Sequence, residues 1–412
     1  MKILWYTNTP CLYKQNNAYN GGGWLSSLQA ILMKREDVEL GIAFSLDGED
    51  EKVIEKGVTY YPLRFPKHSW KEKAQAFICS ANTLIINERK RIPLYEEIIR
   101  KPLEDFKPDV IMVFGSEMPF GLVAGITDIP VILHIQGILN PYLNAYLPPF
   151  VSWNEYKSIG NGWKNRLHKR IERKMWMVSC ARETEICKRV MNYFGRTDWD
   201  YRVTQILHPG ANYLFASEVL RPVFYQPMER ALPNKLTIVT TISSPLYKGY
   251  DLVLKTAKML SEKGVFFEWK CYGNINPSIV EKQLAIRHEK VNVSLCGVAS
   301  AEQLCDAICH ATVYVHTSYI DNSPNSLCEA QILGCTPIAT YVGGVPSLIK
   351  NGETGYLVSA NDPYQLAFLL EDLFLNPERN LAIGKAAKEV ALVRHNPNQI
   401  VDKLLNDLQS LL

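Results

Sequence analysis

Asp321 and Glu329 are two acids eight residues apart, with a polar turn of Asn322, Ser323, Pro324 and Asn325 between them. The apolar run from Ala311 to Val315 ahead of them reads as a buried strand. Leu327 to Leu333 reads as a short helix ended by Gly334, and Thr336 to Thr340 as the next strand. This is a strand–loop–helix–strand unit of a parallel sheet, whose loop lies where such sheets bind ligands. The helix N-terminus offers unpaired N–H groups and a partial positive charge, which suit a diphosphate. Asp321 would then take hydroxyl groups of a sugar, and Glu329 those of a ribose. The same pattern is common in α/β proteins, where acids of this kind are solvated helix caps.

What must position these groups is a chain of 412 residues, long enough to expect two domains. A hydrophobic content of 47% with 21% charged residues is that of a globular protein. A net charge of +3 argues against nucleic acid as a partner. No stretch approaches the roughly 20 apolar residues that cross a bilayer. The start MKILWYTNTP turns polar after a few positions and reads as a first strand rather than a signal peptide, so the expected location is cytoplasmic. The ten cysteines form no CxxC pair. Cys180, Cys271, Cys296 and Cys328 lie in or beside apolar segments, as buried free thiols do. Cys305, Cys309 and His310 share one expected helix but lack a fourth ligand, and read as packing rather than as a metal site.

In the N-terminal half Lys2 to Tyr6 is a strand, followed by a polar loop, Gly21-Gly22-Gly23 and a helix from Trp24 to about Lys34. Val38 to Phe44 is the next strand. Glycines there let backbone approach a ligand closely. They are not a dinucleotide fingerprint, because GxGxxG is absent. Val58 to Leu63 reads as a strand, and Lys71 to Lys107 as mostly helical with Pro93 and Pro102 interrupting it. Val110 to Phe114 and Ile129 to Ile135 are strands. His134 ends the second and opens onto a loop with Asn140, Tyr142 and Tyr146, so it is either a hydrogen-bonded structural residue or a binding one.

Between Trp163 and Trp176 the apolar residues Trp163, Leu167, Ile171 and Met175 recur every four positions, with Arg166, Lys169, Arg170, Arg173 and Lys174 on the other flank. Such a helix lies either on an anionic membrane surface or with its stripe in a core. The Asp198-x-Asp200 pair could suggest a metal–diphosphate clamp, a pattern too short to carry weight. From His208 to Pro233 periodicity fades, which suggests the passage between domains. A second alternating series follows: a strand at Leu236–Ile242, Lys248-Gly249, a helix at Tyr250–Glu262, and strands at Phe266–Tyr272 and Val291–Cys296. Helices close the chain from about Pro363, broken near Pro377 and Pro397.

Taken together these pieces resemble the retaining glycosyltransferases of family 4, the group 1 transferases. Asp321 and Glu329 match the family's E-x7-E motif with Asp for the first Glu. Lys248-Gly249 matches its Lys-Gly turn, and Gly343-Gly344-Val345-Pro346 and Gly352-x-x-Gly355-x-Leu357-Val358 match the run that follows. Gly21, Gly22 and Gly23 match its glycine loop, and His134 the histidine that approaches the donor sugar. The resemblance implies an α/β chain of the GT-B fold, two doubly wound Rossmann-like domains facing across a cleft. The expected division is 1–205 for the acceptor side and 206–389 for the donor side, with a C-terminal helix at about 390–412 packing back on the first.

The activity implied is transfer, with retention and without a metal or cofactor, from a UDP- or GDP-linked sugar to a glycan or lipid-linked acceptor, as in bacterial surface-polysaccharide synthesis. Lys248, Asp321, Glu329 and His134 are the expected catalytic residues. Gly21, Gly22, Gly23, Ser243, Arg196, Asn325, Ser326 and Leu327 are the expected donor contacts. The family's arginine before the lysine falls near Ser243, with no basic residue close by, and Arg196 is the candidate substitute. Pro324 removes one backbone donor. Peripheral membrane contact through 163–176 is the expected accessory partner. A sugar-nucleotide epimerase of the same fold, or a non-catalytic sugar-nucleotide-binding protein, remains the alternative.

Overall fold

The computed structural model describes residues 1–15, 23–47, 51–66, 70–158, 162–226, 230–243 and 246–412. The described chain divides into two compact units. The first comprises Met1–Asn144, Tyr156–Val219 and Pro397–Leu412, and the second Ala145–Glu155 and Leu220–Asn396.

The first unit holds eight strands: β1 (Lys2–Thr7), β2 (Glu39–Ser45), β3 (Val53–Glu55), β4 (Val58–Leu63), β5 (Val110–Phe114), β6 (Val131–His134), β7 (Asn192–Gly195) and β8 (Asn212–Phe215). Their order is β3-β4-β2-β1-β5-β6-β7-β8, and every pairing is parallel except that of β3 with β4. Strand alternation decides the two layers. Ile3 and Trp5 enter one buried cluster, Leu4 and Tyr6 the other. Both faces are apolar because helices cover both, as in parallel sheets generally. The terminal helix Pro397–Gln409 covers the first face with Ile400, Val401, Leu404, Leu405 and Leu408.

The second unit is a six-stranded parallel sheet: β9 (Leu236–Thr241), β10 (Phe267–Tyr272), β11 (Val293–Gly297), β12 (Val313–His316), β13 (Pro337–Thr340) and β14 (Tyr356–Val358). The order β11-β10-β9-β12-β13-β14 means that the chain builds outward from β9 to one edge, then returns to the other side of β9. The switch point therefore lies between β9 and β12. Loops leaving the carboxyl ends of two such strands diverge, and the crevice between them is where doubly wound sheets take ligands.

Several expectations need correction. The division falls at Val219 rather than at 205, because β8 pairs with β7 and belongs to the first sheet. The return to the first unit begins at Pro397 rather than near 390. Residues 145–155 go with the second unit, where Lys255 Nζ sits 4.6 Å over the Phe150 ring. Pro102 lies inside the helix Ile92–Phe106 without ending it, and three helices rather than one broken one fill the 70–107 stretch. The basic helix runs on to Arg189, and Ile171 and Met175 pack against a cluster of Ala76, Leu84 and Val178. Two of its four stripe residues, Ile171 and Met175, are thus spent on packing, and Trp163 is 72% exposed. No helix among the described residues is long and apolar enough to cross a membrane.

Candidate functional site

Two loops leave the switch point of the second sheet, one after β9 and one after β12. The first carries Ser243, exposed, and then Lys248 at the end of a single 3₁₀ turn. Gly249 follows with φ of 78°, and a Cβ there would stand 1.9 Å from the Thr317 carbonyl oxygen. Only glycine lets the two loops touch at this point, which fixes Lys248 beside the β12 loop.

That second loop carries Asp321, whose side chain is 10% exposed. Lys248 Nζ donates to Asp321 Oδ2 at 2.7 Å. His316 Nε2 lies 3.1 Å from the same oxygen, and Ser318 Oγ donates to it at 3.3 Å. The Asn322 N–H donates to Oδ1 at 3.1 Å. Burial alone would raise the Asp321 carboxyl, but the Lys248 charge and His316 outweigh it and hold the group well below the usual carboxylate range. Burial likewise opposes the Lys248 ammonium, and Asp321 outweighs it and raises that group. The backbone of Asp321 is set by the glycine run. Gly344 N–H donates to its carbonyl at 2.9 Å, and Gly343, at φ of 49°, approaches so closely that a Cβ would sit 1.9 Å from that oxygen.

The helix Asn325–Ile332 starts at Pro324, a cap without a side-chain hydrogen bond. The Leu327 and Cys328 N–H groups both turn back to the Pro324 carbonyl, at 3.0 and 3.2 Å. Leu327 is fully buried, so among the three expected contacts of this turn the open amides are those of Asn325 and Ser326. The Ser326 hydroxyl points into the sheet, within 2.8 Å of Thr241 Oγ1 and 2.7 Å of the Tyr314 hydroxyl. Glu329, 2% exposed, lies one turn on. Arg221 Nε and Nη2 each reach one of its carboxylate oxygens at 2.7 Å. Arg221 also lies 4.8 Å over the Phe224 ring.

Sequence reasoning missed Arg221 and His316. Arg221 sits in the passage where periodicity had faded, 108 residues before its partner. His316 ends β12 five residues before Asp321, and its place at a strand's carboxyl end was the available signal.

The remaining expected residues lie in the first unit. His134 ends β6, 1% exposed, with Nδ1 3.1 Å from Gln136 Nε2 and its ring stacked on Phe114 at 5.5 Å. Burial, helped by the Arg196 charge, brings it down to about 3, so the ring is neutral at physiological pH. Arg196 is 5% exposed and donates to the Gln136 carbonyl at 2.9 Å, with Glu218 at 3.5 Å. Its charge has these uses within the first unit, whereas the arginine that meets the second acid is Arg221. Gly23 opens the helix Gly23–Leu32; Gly21 and Gly22 lie outside the described residues. Glu183, fully buried, orders the loop after His134 by accepting from the Leu139 and Asn140 N–H groups at 2.9 Å each. Asp200 closes the capping box of the helix Asp198–Leu207 and accepts from the Tyr213 hydroxyl, which occupies half of the imagined metal clamp. Cys305 and Cys309 pack in the core beside β12, and all ten cysteines are free.

Comparison with known proteins agrees with this geometry. Residues 229–390 match the family described as glycosyl transferases group 1. A D-inositol 3-phosphate glycosyltransferase of Streptomyces coelicolor is 38% identical over 86 residues, which are 21% of this chain and 19% of that one. The putative colanic acid biosynthesis glycosyltransferase WcaL of Escherichia coli is 26% identical over 192 residues, 44% of this chain and 46% of its own. The matches thus span from about a fifth to under half of these relatives' length. The structure of Anabaena HepE in complex with UDP superposes with a TM-score of 0.64 at 14% identity, covering all of both chains. The fold is therefore GT-B, and residues 229–390 of the chain are similar to the group 1 glycosyl transferases.

Proposed function

We propose that this protein is a retaining, metal-independent glycosyltransferase. It moves a sugar from a UDP- or GDP-linked donor to a glycan or lipid-linked acceptor, in the assembly of a bacterial surface polysaccharide. The observation that carries this reading is the convergence of Lys248, Asp321, Glu329 and the first turn of Asn325–Ile332 at the switch point of the second sheet. The relatives named as a D-inositol 3-phosphate glycosyltransferase and a putative colanic acid biosynthesis glycosyltransferase, and the UDP bound by HepE, support the substrate classes.

Each group has a chemical use. Breaking the bond between the anomeric carbon and the diphosphate develops positive charge on the sugar and negative charge on the leaving phosphate. The Lys248 ammonium has three N–H donors, of which Asp321 takes one. The others, with the Asn325 and Ser326 amides, can receive the leaving phosphate. Fixed donors aimed at developing charge contribute more to the rate than any other single effect in most such sites. Arg221 holds both oxygens of the Glu329 carboxylate and fixes its plane. The ribose diol is its proposed ligand. Asp321, held anionic by Lys248 and His316, positions sugar hydroxyls and does not attack. Retention then follows from attack on the leaving-group face, assisted by the phosphate itself.

The proposed setting is the cytoplasmic side of a membrane. With Ile171 and Met175 packed inside, peripheral contact would rest on Trp163 and on cations such as Lys164 and Arg170. Co-sedimentation with anionic vesicles at low salt tests that contact.

The activity is tested by incubating the protein with a panel of sugar nucleotides, with and without candidate acceptors. Acceptor-dependent release of nucleoside diphosphate is the expected result. Donor conversion without acceptor would make the protein an epimerase, and donor binding without turnover a binding protein.

A further inference from the structure

The Lys248 ammonium has an aromatic neighbour as well as an acid. Its Nζ lies 2.7 Å from Asp321 Oδ2 and 5.4 Å over the centre of the Tyr247 ring. At that distance the π face attracts a cation. The ring can hold the ammonium only if it is itself held. Tyr247 is buried, and its carbonyl accepts from the Tyr319 N–H at 2.6 Å, which fixes the backbone. The ring meets that of Tyr146, with centres 6.1 Å apart and planes at 58°. Tyr146, also buried, stacks in turn on Trp153 at 5.3 Å and 9°. Aromatic pairs at such separations attract beyond the area they bury. Trp153, Tyr146, Tyr247 and Lys248 therefore form one continuous row.

The first half of that row comes from far away in sequence. Tyr146 and Trp153 lie in residues 145–155, which belong to the second unit although Asn144 before them and Tyr156 after them belong to the first. The segment is shaped by its own contacts. The Val151 N–H turns back to the Pro148 carbonyl at 3.0 Å. Ser152 and Glu155 exchange hydrogen bonds in a capping box, at 2.8 and 3.2 Å, which sets Trp153 as the first residue of the helix Trp153–Ser158. Phe150 anchors the segment by packing on the second unit's core. That anchor needs neither aromatic partner of Tyr247. We propose that Tyr146 and Trp153 are positioning residues for Lys248: the stacked pair backs the Tyr247 ring, and the ring keeps the ammonium at the switch point. A lysine side chain loses much rotamer freedom when it is ordered by a ligand. One already confined spares the diphosphate that cost and binds it more tightly. This rests on the sugar-transfer reading and adds to it two residues outside both switch-point loops.

The test is calorimetric titration of the full chain with UDP, GDP and ADP, using whichever nucleotide the wild type binds, with thermal melts to show that each variant is folded. Tyr146→Leu should weaken binding about fivefold, the effect of one aromatic pair, while Tyr146→Phe keeps the ring and stays within about twofold of wild type. In a Lys248→Ala background Tyr146→Leu should cause no further loss. That lack of additivity is the result a merely structural tyrosine would not give. If Tyr146→Leu fails to fold, Trp153→Leu, at a partly exposed position, serves in the same cycle. Unchanged affinity in the folded leucine variant, or an equal loss in both backgrounds, overturns the inference and leaves the sugar-transfer reading standing. Failure of the wild type to bind any of the three nucleotides overturns that reading, and this inference with it.

Discussion

Arg221 grips both carboxylate oxygens of Glu329, Nε on Oε1 and Nη2 on Oε2, each at 2.7 Å. The pair joins the entry of the second unit to the helix that carries the second acid of the motif. A planar guanidinium fixes the plane of the carboxylate as well as its charge, which an ammonium would not. Glu329 is 2% exposed, so its partner also keeps a buried charge from standing alone.

Removing one partner should therefore cost more than removing both. Arg221→Met should destabilise the chain by about 3–5 kcal/mol, and the double variant Arg221→Met, Glu329→Gln should recover most of that loss. Urea unfolding measures both. Equal stability of the single and double variants would show that the pair is not buried as described.

Among the described residues Lys248 supplies the one ammonium at the switch-point loops, so Lys248→Ala should lower sugar transfer about a hundredfold, or about 3 kcal/mol of transition-state stabilisation. The chain should still fold, with some loss of stability because Asp321 loses the charge that offsets its burial. EDTA should leave the wild-type rate unchanged. Steady-state kinetics with and without the chelator checks both statements.

Gly249 is required by contact as well as by conformation. Its φ of 78° disfavours other residues, and a Cβ would meet the Thr317 oxygen at 1.9 Å. Gly249→Ala should destabilise by at least about 2 kcal/mol and reduce donor affinity by shifting Lys248. Thermal melts and nucleotide titration should report both effects in the same variant.

His134 makes a prediction in pH. Its folded value lies near 3 against an ordinary 6.5, so the folded chain favours the neutral ring. Below about pH 6.5 the unfolded chain binds the extra proton, and stability falls as pH falls through that window. The slope from this group is about 1.4 kcal/mol per pH unit. The wild type should therefore lose stability faster than His134→Asn between pH 6.5 and 4. A difference in melting temperature that does not vary with pH would contradict the buried neutral ring.

Much of this was legible in the chain because parallel strands are continuous apolar runs and their helices carry turn signals. The 250–262 helix and the β9, β10 and β12 strands fall close to where periodicity puts them. The acids, the Lys-Gly turn and the glycine run were legible as motifs, since each needs a specific residue type. What failed to show was long-range pairing. Nothing local marks Arg221 as the partner of Glu329, and β7 and β8 are short strands whose pairing depends on neighbours far away. Arg196, nearer in expectation, is instead drawn to Glu218. The basic helix looked amphipathic for two reasons at once, and only its packing against Ala76, Leu84 and Val178 separates them.

The central claim is that the switch point of the second sheet binds a nucleoside diphosphate through Lys248 and Glu329. The direct measurement is a titration of UDP and GDP into wild type, Lys248→Ala and Glu329→Gln, with thermal melts to show that each variant is folded. Micromolar binding of one nucleotide by the wild type, weakened at least tenfold in both folded variants, is the predicted result. Wild-type affinity in both variants would contradict it.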